Sequence, residues 1–205
     1  MVTSVYVQNG CEYVDVARMF DSREGYLVVD DVKEASLICF IGGSSDVDPW
    51  LYSEENKSSE VDNIDDFNSV GLFYYAANLG IPCVGICRGA QFLNVMNEGG
   101  MIQNIEGHSS GTHQVLIASK AMTYYSEYDY LFTNTIHHQS MVVGNGGEVI
   151  AFADNCPEVI AYNNDVPCLC VQFHPEWSLG DEEKDERLEN FFFALVVNEL
   201  LEVGE

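Results

Sequence analysis

Short apolar runs alternate with longer amphipathic stretches along the first half of the chain, and the two periods separate strand from helix. Ser4-Val5-Tyr6-Val7 reads as a first strand closed by Asn9-Gly10, Tyr13 to Phe20 as a helix, and Gly25-Tyr26-Leu27-Val28-Val29 as a second strand. Ser36 to Ile41 is a continuous apolar run ending at Gly42-Gly43, as a strand buried on both faces requires. Asp62 to Leu79 carries Phe67, Val70, Gly71 and Tyr74 at helical spacing and stops at Gly80. Pro82-Cys83-Val84-Gly85-Ile86 is a further buried strand.

Strands and helices alternating in this way predict an α/β fold: a mostly parallel central sheet with helices on both faces. The second half has a different grain. From Met101 to Tyr162 short runs such as His113 to Ile117 and Glu148 to Phe152 are broken by Gly and Asn, which predicts a small antiparallel hairpin region beside the main sheet. Cys168 to Phe173 returns to a buried strand. A last helix runs from about Asp181 to Leu201, acidic in its first turns as the helix dipole favours, with Phe191, Phe192 and Leu195 as its inward stripe. No internal repeat, low-complexity tract or linker interrupts the 205 residues, so a single domain over 1–205 is expected.

Charge changes the picture of partners. Thirty-three acids against eight bases leave a net charge of -25, which excludes nucleic-acid binding through a basic face and disfavours a membrane surface. No apolar run approaches the ~18–20 residues of a membrane helix. The amino-terminal stretch lacks a basic region followed by a long apolar one, so no secretory signal is read there. The seven cysteines are odd in number and contain no CxxC, which suits reduced thiols in a cytoplasmic setting.

One cysteine differs in context. Gly85-Ile86-Cys87-Arg88-Gly89 stands where a buried strand hands over to a helix beginning near Ala90. A nucleophile between two close glycines at such a turn is a nucleophile elbow: strand and helix approach closely, and the thiol projects at a helix N-terminus, where peptide dipoles favour a thiolate. The backbone N–H of Arg88 would point the same way, towards a developing oxyanion. A base is then needed. His174 lies at the end of the Cys168–Phe173 strand, followed by Pro175, at the edge where open parallel sheets build active sites. Glu176 could accept a hydrogen bond from its imidazole and fix the tautomer.

Gly85-Ile-Cys87-Arg-Gly89-Ala-Gln91 and Val171-Gln-Phe-His174-Pro-Glu176-Trp177 resemble the two signatures of class I glutamine amidotransferases. Gly42-Gly43-Ser-Ser-Asp46-Val-Asp48-Pro49 with Leu51-Tyr52, Asn94-Val95, Gly99-Gly100 and Asn134-Thr-Ile-His137-His138-Gln139 resemble the gamma-glutamyl hydrolase-like branch, of peptidase C26 type. The likeness spans about residues 36 to 180. It implies the flavodoxin-like amidotransferase fold and a triad of Cys87, His174 and Glu176 attacking a gamma-glutamyl amide, glutamine or a small conjugate, through a thioester. It further implies Gly43 as second oxyanion donor beside Arg88, Gln91 as a residue holding the glutamyl end, and His137, His138 and Gln139 as pocket lining. No cofactor is implied. The resemblance also leaves two other roles open: a glutaminase subunit passing ammonia to a separate synthase in trans, and a binding protein that keeps the fold without its chemistry.

Other features have plainer readings. His108 and His113 bracket a loop with no Cys or acid at ligand spacing, so no metal is expected, and the resemblance to hydrolase-like proteins implies pocket-edge packing. Tyr124, Tyr125, Tyr128 and Tyr130 suit packing around the hairpins, and Asp181 to Arg187 a solvated helix face. The branch often carries a Glu-Ala pair before its last core strand. Here the acid of Pro157-Glu158-Val159-Ile160-Ala161 is shifted, which leaves the leaving amine open.

Overall fold

The computed structural model describes residues 2–118, 121, 125 and 128–202. Its centre is a nine-stranded sheet in the order β2-β1-β3-β4-β11-β10-β9-β6-β7. The strands β1 (Thr3–Val7), β2 (Tyr26–Val28), β3 (Leu37–Phe40), β4 (Cys83–Ile86) and β11 (Pro167–Val171) run parallel. From β11 onward the sheet turns antiparallel through β10 (Cys156–Asn163), β9 (Gly147–Ala153), β6 (Thr112–Ile117) and β7 (Tyr130–Asn134). The antiparallel hairpins therefore extend the main sheet instead of standing apart. Among the described residues, only β5 (Gly100–Ile102) and β8 (Ser140–Val142) form a separate small ribbon.

Side-chain alternation in the parallel strands creates two cores. Leu37 and Cys39 of β3, with Val84, Ile86, Leu169 and Val171, join Val16 and Phe20 of α1 (Tyr13–Ser22) and Phe191 and Phe192 of α4 (Glu182–Val196). Ile38 and Phe40, with Cys83, Cys168 and Cys170, pack on the opposite face against Phe73 and Ala76 of α2 (Asn63–Leu79) and Phe92 and Leu93 of α3 (Arg88–Met96). A strand covered on both faces must be apolar at every position, and β3 and β4 are buried throughout.

Helix ends follow their local chemistry. Asp62 caps α2 by accepting from the N–H groups of Ile64 and Asp65, Gly80 ends that helix at φ 66°, and Asp181 caps α4. The stripe at helical spacing on α2 nevertheless faces outward: Phe67 is 78% and Tyr74 57% exposed, while Asp66, Ser69, Phe73 and Ala76 are buried. Asp66 takes the inward side because Arg88 waits there with a compensating charge. Tyr125 and Tyr128 do pack on Phe191, with ring centroids 5.6 and 5.0 Å away, while Tyr130 lies on β7 and Tyr124 falls outside the described residues. The last helix continues from α4 into a π-helical turn at Val197–Leu201. None of the described helices is long and apolar enough to cross a membrane.

The elements meet most tightly where β4 turns into α3. A Cβ at Gly89 would lie 2.2 Å from the carbonyl oxygen of Phe40, and one at Gly85 would lie 2.5 Å from the backbone of Gly89. Neither obstacle is a side chain that could rotate away. Gly89→Ala is therefore expected to lower unfolding stability by about 3 kcal/mol, the upper end of overpacking costs, read as a shift in the urea midpoint. An unchanged midpoint would mean that strand and helix are less closely apposed.

Candidate active site

Four adjacent parallel strands deliver their carboxyl ends to one edge, and the polypeptide leaving each carries a polar group of the site. β4 leads into Cys87, β11 into His174, β3 into Gly42-Gly43, and β1 into the turn before Glu12. Because Ile86 and Val171 are paired across β4 and β11, Cys87 and His174 emerge side by side although the sequence holds them far apart. The N–H of Cys87 donates to the Val171 carbonyl at 2.8 Å and locks that register.

Cys87 stands at the head of α3 with φ 51° and ψ -111°, a conformation that non-glycine residues avoid. It is held there by the strand behind, the helix ahead and the two glycines that permit their contact. All seven thiols are free: Cys87 and Cys156 are half-buried, Cys11 is exposed, and Cys39, Cys83, Cys168 and Cys170 are buried.

His174 is gripped from every side. Its N–H donates to Asn134 Oδ1 at 2.8 Å, and Asn134 Nδ2 donates back to its carbonyl at 2.7 Å. Trp177 stacks on the ring, with centroids 4.0 Å apart and planes within 7°. Nδ1 lies 2.8 Å from Glu176 Oε1, which leaves Nε2 for the sulfur. Burial opposes charge on this imidazole, but its contacts with Cys87 and Glu176 outweigh burial and raise its pKa to about 11.

A second carboxylate, not foreseen from the sequence, faces the same ring. Glu12 Oε2 is 3.7 Å from His174 Nδ1. Burial pushes the Glu12 carboxyl above its ordinary range, partly offset by the His174 charge and by the N–H of Gly42. A Cβ on Gly42 would sit 2.0 Å from the Glu12 carboxylate and 2.8 Å from the imidazole, so the first glycine of the pair is a steric necessity. Glu12 precedes a helix in an unremarkable polar stretch, and no sequence signal marks it.

A pocket of about 190 Å³ opens over the sulfur. Its lining includes Gly43, Cys87, Arg88 and Gln91, faced by His137, His138 and Gln139, so these sequence-predicted residues converge. It is smaller than the ~300–1,000 Å³ of drug-sized ligand sites and suits an amino-acid-sized group. The Arg88 guanidinium is not free to meet a substrate. It is buried, with Nη2 2.7 Å from Asp66 Oδ1 and Nε donating to Ser45 Oγ at 3.0 Å. Gln91 is likewise engaged, its amide donating to Gln172 Oε1 at 3.2 Å. His138 reaches Asp46 at 3.0 Å.

His108 and His113 depart from expectation. Neither lines the Cys87 pocket, and an acid does join them: Glu158, wholly buried, lies between them and His137. The acid that looked shifted in the sequence is thus directed into a histidine cluster by a β-bulge between Pro157 and Val159. Burial raises the Glu158 carboxyl, but His113 and His137 more than reverse this and hold it below its ordinary value, while burial lowers His108. The donor atoms of His108, His113 and Glu158 lie close enough together to hold a metal ion, as do those of Glu12, His174 and Glu176.

The family model described as Peptidase C26 matches residues 27–176. The glutamine amidotransferase-like protein YvdE of Lactococcus lactis is 28% identical over 73% of this chain and 70% of its own length. A glutamine-hydrolysing GMP synthase of Francisella tularensis subsp. novicida is 30% identical, over 55% of this chain and 22% of its own length. A glutamine amidotransferase of Thermotoga maritima superposes with a TM-score of 0.70 at 16% identity, covering 96% of both chains, and so shares the fold.

The His174 environment predicts a pH window. A proton bound more tightly in the folded chain than in the unfolded one, where imidazole titrates near ~6.5, stabilises the fold fully below that value. The contribution declines as pH rises and is lost through the folded-state value of about 11. The ring signals of His174 are therefore expected to report an imidazolium at about pH 8. Cys87→Ala removes a raising contact while keeping the burial, and should lower the titration midpoint. A parent ring that loses its proton at about pH 6–7 would contradict this electrostatic picture.

Proposed function

The chain belongs to the peptidase C26 family, and from that premise we propose that it hydrolyses a gamma-glutamyl amide, glutamine or a small gamma-glutamyl conjugate, with Cys87 as nucleophile. The observation that carries this reading is the positive-φ Cys87 beside an imidazole whose other nitrogen is 2.8 Å from a carboxylate. An imidazolium beside the sulfur can supply the proton that the leaving amine needs.

The sulfur attacks the amide carbonyl and forms a C–S bond. The oxygen takes up the negative charge, which the N–H groups of Arg88 and Gly43 are disposed to receive. His174 transfers its Nε2 proton to the leaving nitrogen as the C–N bond breaks, leaving a thioester and a free amine or ammonia. The neutral imidazole then takes a proton from water, whose oxygen displaces the sulfur and releases glutamate. Glu176 holds Nδ1–H throughout and stabilises the ring each time it is charged. Gln91, His137, His138 and Gln139 shape the recess for the glutamyl portion. No step calls for a cofactor.

A second reading is favoured by the likeness to one fifth of a larger glutamine-hydrolysing enzyme: ammonia made at Cys87 would pass to a synthase acting in trans. The two separate on a simple criterion. A self-sufficient hydrolase turns over gamma-glutamyl compounds at full rate alone, whereas a glutaminase subunit accelerates when its acceptor is added.

Cys87→Ala should abolish product release in a mass-spectrometric screen of gamma-glutamyl compounds, with little loss of stability. Glu176→Gln should lower turnover by roughly 10²-fold or more. Retained activity in Cys87→Ala would refute the nucleophile. Iodoacetamide offers an independent check, because exposure alone would favour Cys11, which is exposed, over the half-buried Cys87. Labelling of Cys87 first is the expected result, and labelling in order of exposure the contrary one.

A further inference from the structure

In the cluster around Glu158 only His137 also lines the Cys87 pocket, and the cluster's atoms are unusually placed. Glu158 Oε1 lies 3.6 Å from His113 Nε2, 3.6 Å from His137 Nε2 and 3.9 Å from His108 Nδ1. All four atoms are buried, and none has a hydrogen-bond partner among the described residues. Burying so many polar atoms without partners is unfavourable, so something positive belongs at their centre.

His137 narrows what that is. Its Nδ1 lies 2.8 Å from the carbonyl oxygen of Gln139, which can only accept, so Nδ1 carries the hydrogen. Nε2 of the neutral ring then points a lone pair at a carboxylate that also has only lone pairs. A proton between them would draw the pair into a hydrogen bond of ~2.7–3.2 Å. The observed separations are longer. They approach the ~3.4 Å edge of a tetrahedron built from metal–ligand bonds of ~2.0–2.1 Å. The donor atoms of His108, His113 and Glu158 also lie within 4.8 Å of one another.

We propose that His108 Nδ1, His113 Nε2 and Glu158 Oε1 bind one divalent transition-metal ion, zinc by the character of the donors. Two imidazoles and a carboxylate suit a borderline cation with no need for a soft ligand. His137 Nε2 faces the same carboxylate oxygen at 3.6 Å but stands outside the group of mutually close donors, so water completes the coordination. The ion ties the loop before β6, the β6 strand and the bulge of β10 into one unit. Hydrogen bonds from His137 N–H and Thr135 Oγ1 to the His108 carbonyl, each 2.9 Å, join the loop after β7 to that unit. Since His137 and Gln139 also line the Cys87 pocket, the ion would set the position of that wall. The proposal stands whether or not Cys87 is the nucleophile.

The test is metal binding itself. Chain stripped with a chelator and returned to zinc should take up one ion per molecule by elemental analysis and native mass spectrometry, with a higher Tm. Cobalt(II) should give the intense visible bands of a four-coordinate site without the near-ultraviolet thiolate band that cysteine ligation produces. Glu158→Gln should weaken uptake by more than the ~10–100-fold that loss of an outer-shell partner costs. Should that variant not fold, His113→Asn, at the most accessible of the three ligands, carries the same test. Failure to bind zinc or cobalt would overturn the proposal and leave an ion-pair network. So would a thiolate band, or zinc retained at full affinity in the folded variants.

Discussion

The close contact of β4, α3 and β3 is the constraint from which the candidate site follows. Gly89 can rest against the Phe40 carbonyl only because it has no side chain, and Gly85 can lie under Gly89 for the same reason. With those two atoms absent, the polypeptide turns from strand to helix in one residue, and that residue must adopt φ 51°. The strain is sustained because the elements on either side are buried and cannot relax. The result is a side chain lifted over the carboxyl edge of the sheet, at a helix N-terminus, with backbone N–H groups around it. Under the proposed reading, packing thus supplies most of what a nucleophile needs, and the remaining need is a proton carrier.

That carrier brings a problem of charge in a chain whose net charge is already -25. His174 and Arg88 are cationic groups with almost no solvent, and each is matched locally. Arg88 is spent on Asp66 and Ser45, which fastens α2 and the Gly-Gly loop to the start of α3. His174 faces Glu176 directly and Glu12 at longer range. Burial pushes the Glu12 carboxyl up, and the His174 charge pulls it only part of the way back. Elsewhere the acids have uses of their own: Asp62 and Asp181 cap helices, and Asp65, Glu182 and Glu183 occupy first turns where the dipole favours them.

The sequence made the parallel half of the fold legible because buried strands are apolar without interruption and their stops are glycines. The triad candidates were legible for a related reason: the elbow and the His-Pro-Glu stretch each follow such a strand. What escaped was information carried only by three-dimensional neighbours. The apolar spacing of α2 marked a helix without saying which side faces in, and the pairing of buried Asp66 with Arg88 is a preference that no periodicity within α2 can express. Glu12 was invisible because its partners are a glycine and a histidine on other strands' ends.

Glu158 teaches the same lesson more sharply. Along the chain it is one acid displaced from an expected position, and His108 and His113 are a pair with no acid at ligand spacing. The register shift in β10 at Pro157/Val159 falls at this residue, and an extra residue on one strand re-aims the side chain that carries it. An irregularity that looked like a departure in sequence is thereby the feature that completes a buried cluster of three imidazoles around a carboxylate. Spacing rules for ligands presume short loops. In an antiparallel sheet that brings together β6, β7 and β10, the relevant spacing is across strands, and it can be assembled from residues as distant as His108 and Glu158.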